Sequence, residues 1–301
     1  MFVDQRRREK FSALVLQALF VVEPAQTNEF SMESPGDSDA TPPPNEPYSP
    51  EAIGTILLKF YRFLTTLHYD VADLKVPPPE GWPSITSERC AHFRSDRAIQ
   101  VLRHLPYFDS KEYIHYKSRI IDYTSLTREF FESPQPRDQW VEISSADGEP
   151  VDKLDVVCVA AGHETHGREL FLNVKDGEIT EDAVLSAQLD AVDIQLYFQS
   201  LQHAYRDLKL IPCPGRITIE ACDVVEREGI ICEDQVRTQP QVWGTNLDVQ
   251  YVRQVYRANG WPHAFQKANA VRAIESLLES MEGRRGEWEQ TPEDWDQTVR
   301  R

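Results

Sequence analysis

The chain has 301 residues, a formal net charge of −17 at pH 7 and a pI of about 4.9. This length allows one large domain or two small ones. Because an acidic surface repels phosphate backbones and anionic headgroups, the charge argues against nucleic-acid and membrane-surface partners. The five cysteines include no C-x-x-C pair, which argues against a disulfide framework and a zinc ribbon and favours the cytoplasm or the nucleus.

We expect residues 1–23 to form an N-terminal helix or extension. An apolar run from Phe11 to Val22 is too short to span a bilayer as a helix. It follows four basic residues, Arg6, Arg7, Arg8 and Lys10. Two interpretations are open: a helix or loose extension beside the folded body, or the core of a signal peptide with a cleavage site near Ala25. We favour the first, because an odd number of cysteines is unusual in a secreted chain.

Residues 24–50 have the composition of a disordered linker. This stretch contains seven prolines, and no Lys or Arg occurs between Phe11 and Leu58. Such a segment cannot bury enough apolar surface to offset its ordering entropy. We expect a single folded domain over residues 51–285 and a solvated tail over residues 286–301.

The folded domain begins with helices. Ser49 followed by Pro50 is typical of a helix N-terminus, and apolar residues at helical spacing from Ile53 to Leu67 predict an amphipathic helix. The proline-rich residues 77–83 predict extended chain. A second helix is expected from Ser95, ending just before Pro106.

The middle of the chain predicts an antiparallel β-meander. Alternating side chains at 140–145 and 170–175 and an apolar run at 154–161 are typical of strands. Asp176-Gly177 is a tight-turn signal before Ile179. The connections are too short for helical crossovers, which favours antiparallel pairing.

Helices return in the last third of the chain. Periodic apolar residues predict helices over 194–208, 249–256 and 265–281, with a strand over 216–221 between the first two. The predicted fold class is therefore α+β: an antiparallel β-meander covered by helices on one face, with N- and C-terminal helices.

No motif in the chain predicts a cofactor or identifies catalytic residues. Gly-rich phosphate-binding loops and the nucleophile elbow are missing. His163 and His166 fall one residue short of the H-E-x-x-H spacing of zinc proteases and lie between two predicted strands. We interpret them as part of a solvated hairpin loop, with a weak metal site as the alternative.

Two further groups of residues are candidates for function. A carboxylate cluster is interpreted as acidic surface, with acid–base catalysis as the alternative; it comprises Glu220, Asp223, Glu226, Glu228, Glu233 and Asp234. Trp82 and Trp261 each stand between a glycine and a proline. They are either exposed recognition elements for a protein partner or lids over the core, and we favour lids.

Several motifs carry a resemblance to known families. The runs at 77–83, 104–107, 205–212 and 255–262 resemble a family of uncharacterised proteins from filamentous fungi, over most of the chain from Ile53 to Ser280. More distantly, the order of helices, meander and long helix is similar to the SUKH superfamily, which includes fungal cell-wall-synthesis regulators and bacterial toxin-immunity proteins. This second resemblance implies an α+β binding module.

The sequence therefore favours a non-enzymatic protein-interaction or regulatory module with an unidentified protein partner. The alternative is an enzyme whose site is assembled from residues scattered along the chain, such as a metal-assisted hydrolase around His163 and His166. A structure separates the two, because an enzyme needs a cleft into which several titratable groups point.

Overall fold

A computed structural model describes nine parts of the chain, and every structural statement below refers to them. They are residues 48–90, 94–109, 113–115, 117–128, 142–162, 167–184, 187–213, 218–239 and 245–281. The N-terminal residues 1–23, nearly all of the predicted linker, the tail and both candidate metal ligands, His163 and His166, lie outside the described residues.

The first helix, α1 (Pro50–Thr65), begins where the sequence predicts. The Ser49 hydroxyl accepts a hydrogen bond from the Ala52 amide at 3.2 Å, and Pro50 occupies the first turn. Its apolar stripe is buried, as the periodicity predicts. Gly54 lets α1 approach the chain closely at His104, since a Cβ on Gly54 would lie 2.2 Å from the His104 carbonyl oxygen.

Short elements follow α1. They are a 3-10 turn (Val71–Asp73), β1 (Leu74–Lys75), α2 (Ser87–Cys90), α3 (Asp96–His104) and β2 (Tyr107–Phe108). β1 and β2 pair antiparallel. α3 ends where predicted, because Pro106 forces Leu105 into an extended conformation.

The main sheet is antiparallel throughout. Its strands are β3 (Tyr113–His115), β4 (Ser118–Ile120), β5 (Val156–Gly162), β6 (Arg168–Asn173), β7 (Glu178–Ala183), β8 (Ala187–Gln188) and β9 (Val192–Asp193). Neighbours run in the order β3-β4-β5-β6-β7-β8, and β9 also pairs with β7. The predicted meander of β5, β6 and β7 is confirmed. The strand predicted at 140–145 does not form. Its described part belongs to a turn with a single bridge between Ser144 and Pro150.

Helices cover one face of this sheet, as predicted. α3 contacts β5, α4 (Ile194–Arg206) contacts β7, and α1 lies against both helices. Leu170 and Leu172 of β6 are buried in the large core beneath them. On the opposite face Phe171 and Cys158 form a small second cluster with Ile143 from the turn.

The chain continues through a second small sheet and three helices. These are β10 (Leu210–Ile211), β11 (Ile219–Glu220), α5 (Glu233–Thr238), α6 (Leu247–Ala258) and α7 (Lys267–Met281). The predicted helices α4, α6 and α7 are confirmed, whereas the predicted strand at 216–221 is described only at β11. Within the described residues, no helix combines the length and the apolar composition needed to cross a membrane.

Candidate functional site

The two candidate tryptophans lie over the core. The ring nitrogen of Trp82 donates a hydrogen bond to the Leu105 carbonyl at 2.8 Å, and its ring is half-buried beside Tyr107. Trp261 is only 7% exposed, and its ring nitrogen lies 3.1 Å from the carbonyl oxygens of Tyr205 and Arg206. Trp261 is therefore not an exposed recognition element, and both side chains lie over the core, which is the alternative that the sequence analysis favours.

The carboxylate cluster does not converge on one centre. Three of its six members form ion pairs in different places: Glu220 with Arg168, Glu226 with Arg257, and Glu233 with Arg237. The side chains of Asp223, Glu228 and Asp234 are exposed. Among the described residues, no group of three or more His, Cys, Asp or Glu side chains is arranged to hold a metal ion.

A different set of ionisable side chains does converge, inside the sheet. We call His115, Arg168, Glu181, Tyr197 and Glu220 the buried ionic cluster. The ring nitrogen Nε2 of His115 lies 3.3 Å from Glu181 Oε2, and the Tyr197 hydroxyl donates to the same oxygen at 2.7 Å. Arg168 Nη2 donates to both oxygens of Glu220 at 2.8 and 2.9 Å. Its Nε lies 3.4 Å from Glu181 Oε1, close enough for ion pairing but without hydrogen-bond geometry.

The cluster shows that the sheet is curled. His115 is in β3 and Glu181 is in β7, with three strands between them in the hydrogen-bonded order. In a flat sheet, strands four positions apart would be separated by roughly 19 Å. The 3.3 Å contact is therefore made across the inside of a curl, and the charges link the first strand of the sheet to the fifth.

Electrostatics fixes the ionisation states of Glu181 and Tyr197. Burial alone would raise the pKa of Glu181, but the charges of His115 and Arg168 and the hydrogen bonds from His115 and Tyr197 lower it to about 2. Burial and the neighbouring Glu181 carboxylate raise the pKa of the Tyr197 hydroxyl well above its usual value. Glu181 is thus ionised and Tyr197 neutral at physiological pH, so neither is poised to exchange a proton there.

His115 and Glu181 of the cluster, taken with the neighbouring Ser118, resemble a nucleophilic triad only in composition. Ser118 faces His115 across the β3–β4 pair, which puts Ser, His and Glu side by side in the curl. In the part of the chain that is described, however, the Ser118 hydroxyl has no hydrogen-bond partner, and the side chains of Ser118, His115 and Glu181 are at most 3% exposed. The arrangement is an internal ion network that stabilises the curl.

The sequence analysis missed this cluster, although a signal was present. Strand side chains alternate between faces, so Arg168 shares a face with Leu170, and Glu181 shares one with Ile179. Two charges at inward-facing positions of neighbouring strands indicate a buried ion pair. The other partners, His115, Tyr197 and Glu220, come from distant elements and could not be matched from spacing.

A second feature lies on the surface, where the loop 223–230 runs beside α6. Two glutamines of α6 pair with the loop backbone. The Gln250 side chain donates to the Val225 carbonyl and accepts from the Arg227 amide. Gln254 does the same at Ile231, donating to its carbonyl and accepting from its amide, each at 3.0 Å. The side-chain amides of α6 thus bind the backbone at Val225, Arg227 and Ile231.

Arg253 forms hydrogen bonds with the backbone at the start of the same loop. Its guanidinium is buried and donates to three backbone carbonyls, those of Leu208 at 3.0 Å, Ala221 at 2.8 Å and Val224 at 2.6 Å. A rigid planar fork of five donors is suited to holding three acceptors at once. The backbone at both ends of the loop is therefore held by α6.

The side chains of this loop face solvent. Val225 is 85% exposed and Ile230 is 90% exposed, the two highest values among the exposed large hydrophobic side chains of the described residues. Asp223, Glu226 and Glu228 beside them are also exposed. Single exposed apolar side chains are ordinary, but two β-branched ones on one short, fixed loop give it the composition of a contact surface.

Comparison with known proteins found no relative: no family model matches the chain, and no curated protein or solved structure matches it significantly.

Proposed function

We propose that the chain is a non-enzymatic protein-interaction module of a regulatory kind, and that the loop 223–230, from here the docking loop, is its contact surface. One observation carries the proposal: Val225 and Ile230 are exposed on a loop whose backbone is held by Gln250, Arg253 and Gln254. The resemblance to SUKH proteins implies the same class of function.

Preorganisation is the physical reason for choosing this loop. A loop that is ordered only on binding loses conformational entropy at that moment, about 1–2 kcal/mol for each residue fixed. The α6 side chains already hold the docking loop, so little of this cost falls on association. Burying an exposed Val or Ile side chain against a partner then contributes about 1.5–3 kcal/mol.

The charges around the loop indicate which kind of partner surface would fit it. Residues 223–234 contain five acidic residues and one basic residue, Arg227. The partner that fits is a protein with apolar pockets edged by Lys or Arg side chains. We place the encounter in the cytoplasm or nucleus, because none of the five cysteines forms a disulfide bond and thiols stay reduced in those compartments.

Capture of partners by variants of the full chain tests the proposal. The test variant is V225S/I230S, and the matched control is V71S/L196S, which changes two other exposed apolar residues (69% and 55% exposed) outside the docking loop. Both should melt within a few degrees of the wild type. We expect wild type and control to recover the same proteins, and V225S/I230S to lose them by about tenfold or more.

Equal recovery by all three chains would show that the docking loop is not the contact surface. A measured turnover by the purified chain that survives V225S/I230S would instead favour the enzyme alternative, which no contact among the described residues supports.

A further inference from the structure

We infer that the docking loop binds its partner by β-strand addition: the outer edge of the extended segment 225–228 pairs with an edge strand of the partner's sheet. The inference rests on the proposed function and names the binding mode of that surface. Backbone hydrogen bonding carries it, because α6 occupies only one of the two edges of the segment.

The segment is extended. No residue of 224–228 belongs to a helix or a turn, and Gly229 is the only residue of the docking loop with a positive φ, at +101°. The side-chain amide of Gln250 binds the Val225 carbonyl and the Arg227 amide. In extended chain a carbonyl and the amide two residues further on point to the same side, so the segment turns one edge of its backbone towards α6.

The opposite edge of the segment faces away from α6. Successive residues of an extended chain direct their N–H and C=O groups to alternate edges, so those of Glu226 and Glu228 lie on the side that Gln250 does not reach. These four groups form no hydrogen bond with any other part of the chain that the structure describes. Every residue from Val225 to Ile230 is exposed, so a partner has access to them.

An edge strand is the occupant that matches these four groups. Two residues spaced two apart, each offering a donor and an acceptor on the same edge, pair with an antiparallel neighbour through two hydrogen bonds each. Gln250 and Gln254 already hold the inner side of the loop, so the segment does not have to become ordered when a strand pairs with it.

The side chains of the outer edge distinguish a second copy of this chain from a different protein. In an antiparallel pair of two copies centred on Arg227, Glu226 of each copy would stand opposite Glu228 of the other. Like charges directly opposite each other are destabilising, whereas opposite charges are stabilising. The strand that fits therefore belongs to a different protein and carries Lys or Arg at two positions spaced two apart.

Two synthetic β-hairpin peptides test the inference on the purified full chain. The first carries lysines at two positions whose N–H and C=O groups lie on its free edge. The second is identical except that both lysine backbone nitrogens are methylated, which keeps the charges and removes the two edge donors. We expect methylation to weaken binding, measured by calorimetry, by about tenfold or more. Equal affinities, or no binding of the first hairpin at about 1 mM, would overturn the inference.

Hydrogen exchange supplies a readout that contact through side chains alone does not give. With the first hairpin bound, the amides of Glu226 and Glu228 should exchange more slowly than in the free chain. The Arg227 amide already bonds to Gln250, so its exchange should change little. Protection that does not alternate in this way overturns strand pairing.

Glu228→Pro and Glu228→Ala separate the backbone from the side chain. Proline removes the N–H of the outer edge and alanine keeps it, so E228P should weaken hairpin binding by about tenfold or more and E228A by about fivefold or less. Both variants should melt close to the wild type, because Glu228 is exposed. Equal losses in the two variants would show that the carboxylate, and not the backbone edge, holds the hairpin.

The same variants distinguish this inference from the proposed function. In the capture experiment, partners that E228P retains and V225S/I230S loses would overturn strand pairing and leave the docking loop as the contact surface. Partners that both variants retain would overturn the proposed function as well. Loss of the partners by E228P and their retention by E228A supports strand pairing.

Discussion

The ring of Tyr48 lies directly on Gly177. A Cβ on Gly177 would be 2.3 Å from the Tyr48 Cδ2 atom, closer than any real contact of this kind. The Tyr48 hydroxyl donates to Asp193 Oδ2 at 2.8 Å, and Arg97 Nη2 donates to the Tyr48 carbonyl at 2.6 Å. The first described residue of the chain therefore packs on the β6–β7 turn and is hydrogen-bonded to β9 and α3.

Gly177→Ala should destabilise the protein through this contact. Gly177 has a φ of +74°, so alanine adds backbone strain of about 1–2 kcal/mol besides the clash with Tyr48. Gly148→Ala is the matched control, because Gly148 has a φ of +87° but open space around its Cα. In urea unfolding, G177A should lose about 1–3 kcal/mol more than G148A. Adding Tyr48→Ala should remove most of the difference, and equal losses in the two single variants would show that the ring moves aside freely.

Glu181→Gln should be strongly destabilising. The amide keeps the size of the carboxylate but leaves His115 and Arg168 facing a neutral group in a buried site, which costs about 3–5 kcal/mol. Asp182→Asn is the control: Asp182 is next in the chain but on the opposite face of β7, and burial raises its pKa, so removing its charge should change the free energy of unfolding by less than about 1 kcal/mol.

Low pH should reduce the loss in free energy of unfolding that Glu181→Gln causes. The folded pKa of Glu181 is about 2, below its ordinary 4.5, so its stabilisation is complete above pH 4.5 and is lost as the pH falls towards 2. The difference between wild type and E181Q should therefore shrink over that range. A constant difference from pH 6 to pH 3 would mean that the charge of Glu181 contributes nothing.

His68 should make the protein less stable in weak acid. Its ring is buried beside Tyr256, with Nε2 3.1 Å from the Tyr256 hydroxyl, and burial together with the charge of Lys267 lowers its pKa to about 3. The unfolded chain binds a proton at His68 below pH 6.5 whereas the folded chain does not. Stability is therefore lost as the pH falls from 6.5 towards 3, by about 2 kcal/mol at pH 5.

His68→Gln isolates this contribution. The free energies of unfolding of wild type and H68Q, measured at pH 7 and pH 5, should differ in their pH dependence by about 2 kcal/mol. His263→Gln, at an exposed position, should keep the wild-type dependence. If H68Q and H263Q show the same pH dependence, the His68 ring is protonated in the folded state.

Arg253→Lys should loosen the docking loop. A lysine ammonium is a compact group that cannot reach the carbonyls of Leu208, Ala221 and Val224 together, so two of them lose their partner at about 1–2 kcal/mol each. We expect faster hydrogen exchange at 221–231 and a lower free energy of unfolding. Arg257→Lys is the control. Arg257 is 44% exposed and forms an ion pair with Glu226, so this substitution should lower the free energy of unfolding by less than about 1 kcal/mol. Equal effects of the two variants would show that Arg253 is not the main anchor.

Local patterns predicted much of the architecture and little of the ionic cluster. The Ser49 cap and the periodicity of α1 act within one or two turns of chain, and the alternation in β6 acts within one strand, so spacing alone reveals them. The strand predicted at 140–145 shows the weakness of short alternation, since only a bridge at Ser144 forms there. The sequence identified the docking loop only as a run of carboxylates. Its exposure and its attachment to α6 could not be predicted, because they depend on a helix about 25 residues further along the chain.

The sequence by itself determined the acidic character of the chain, the order of its long helices and of strands β5 to β7, and the antiparallel pairing of the meander, because each follows from composition, from spacing or from the length of a connection. Only the tertiary structure decided that the sheet curls until His115 meets Glu181, and that Trp261 is buried while Val225 and Ile230 are exposed. The physical reason is that burial and ion pairing depend on distances in space between elements far apart in the chain, and no periodicity in one element carries information about its distant neighbours.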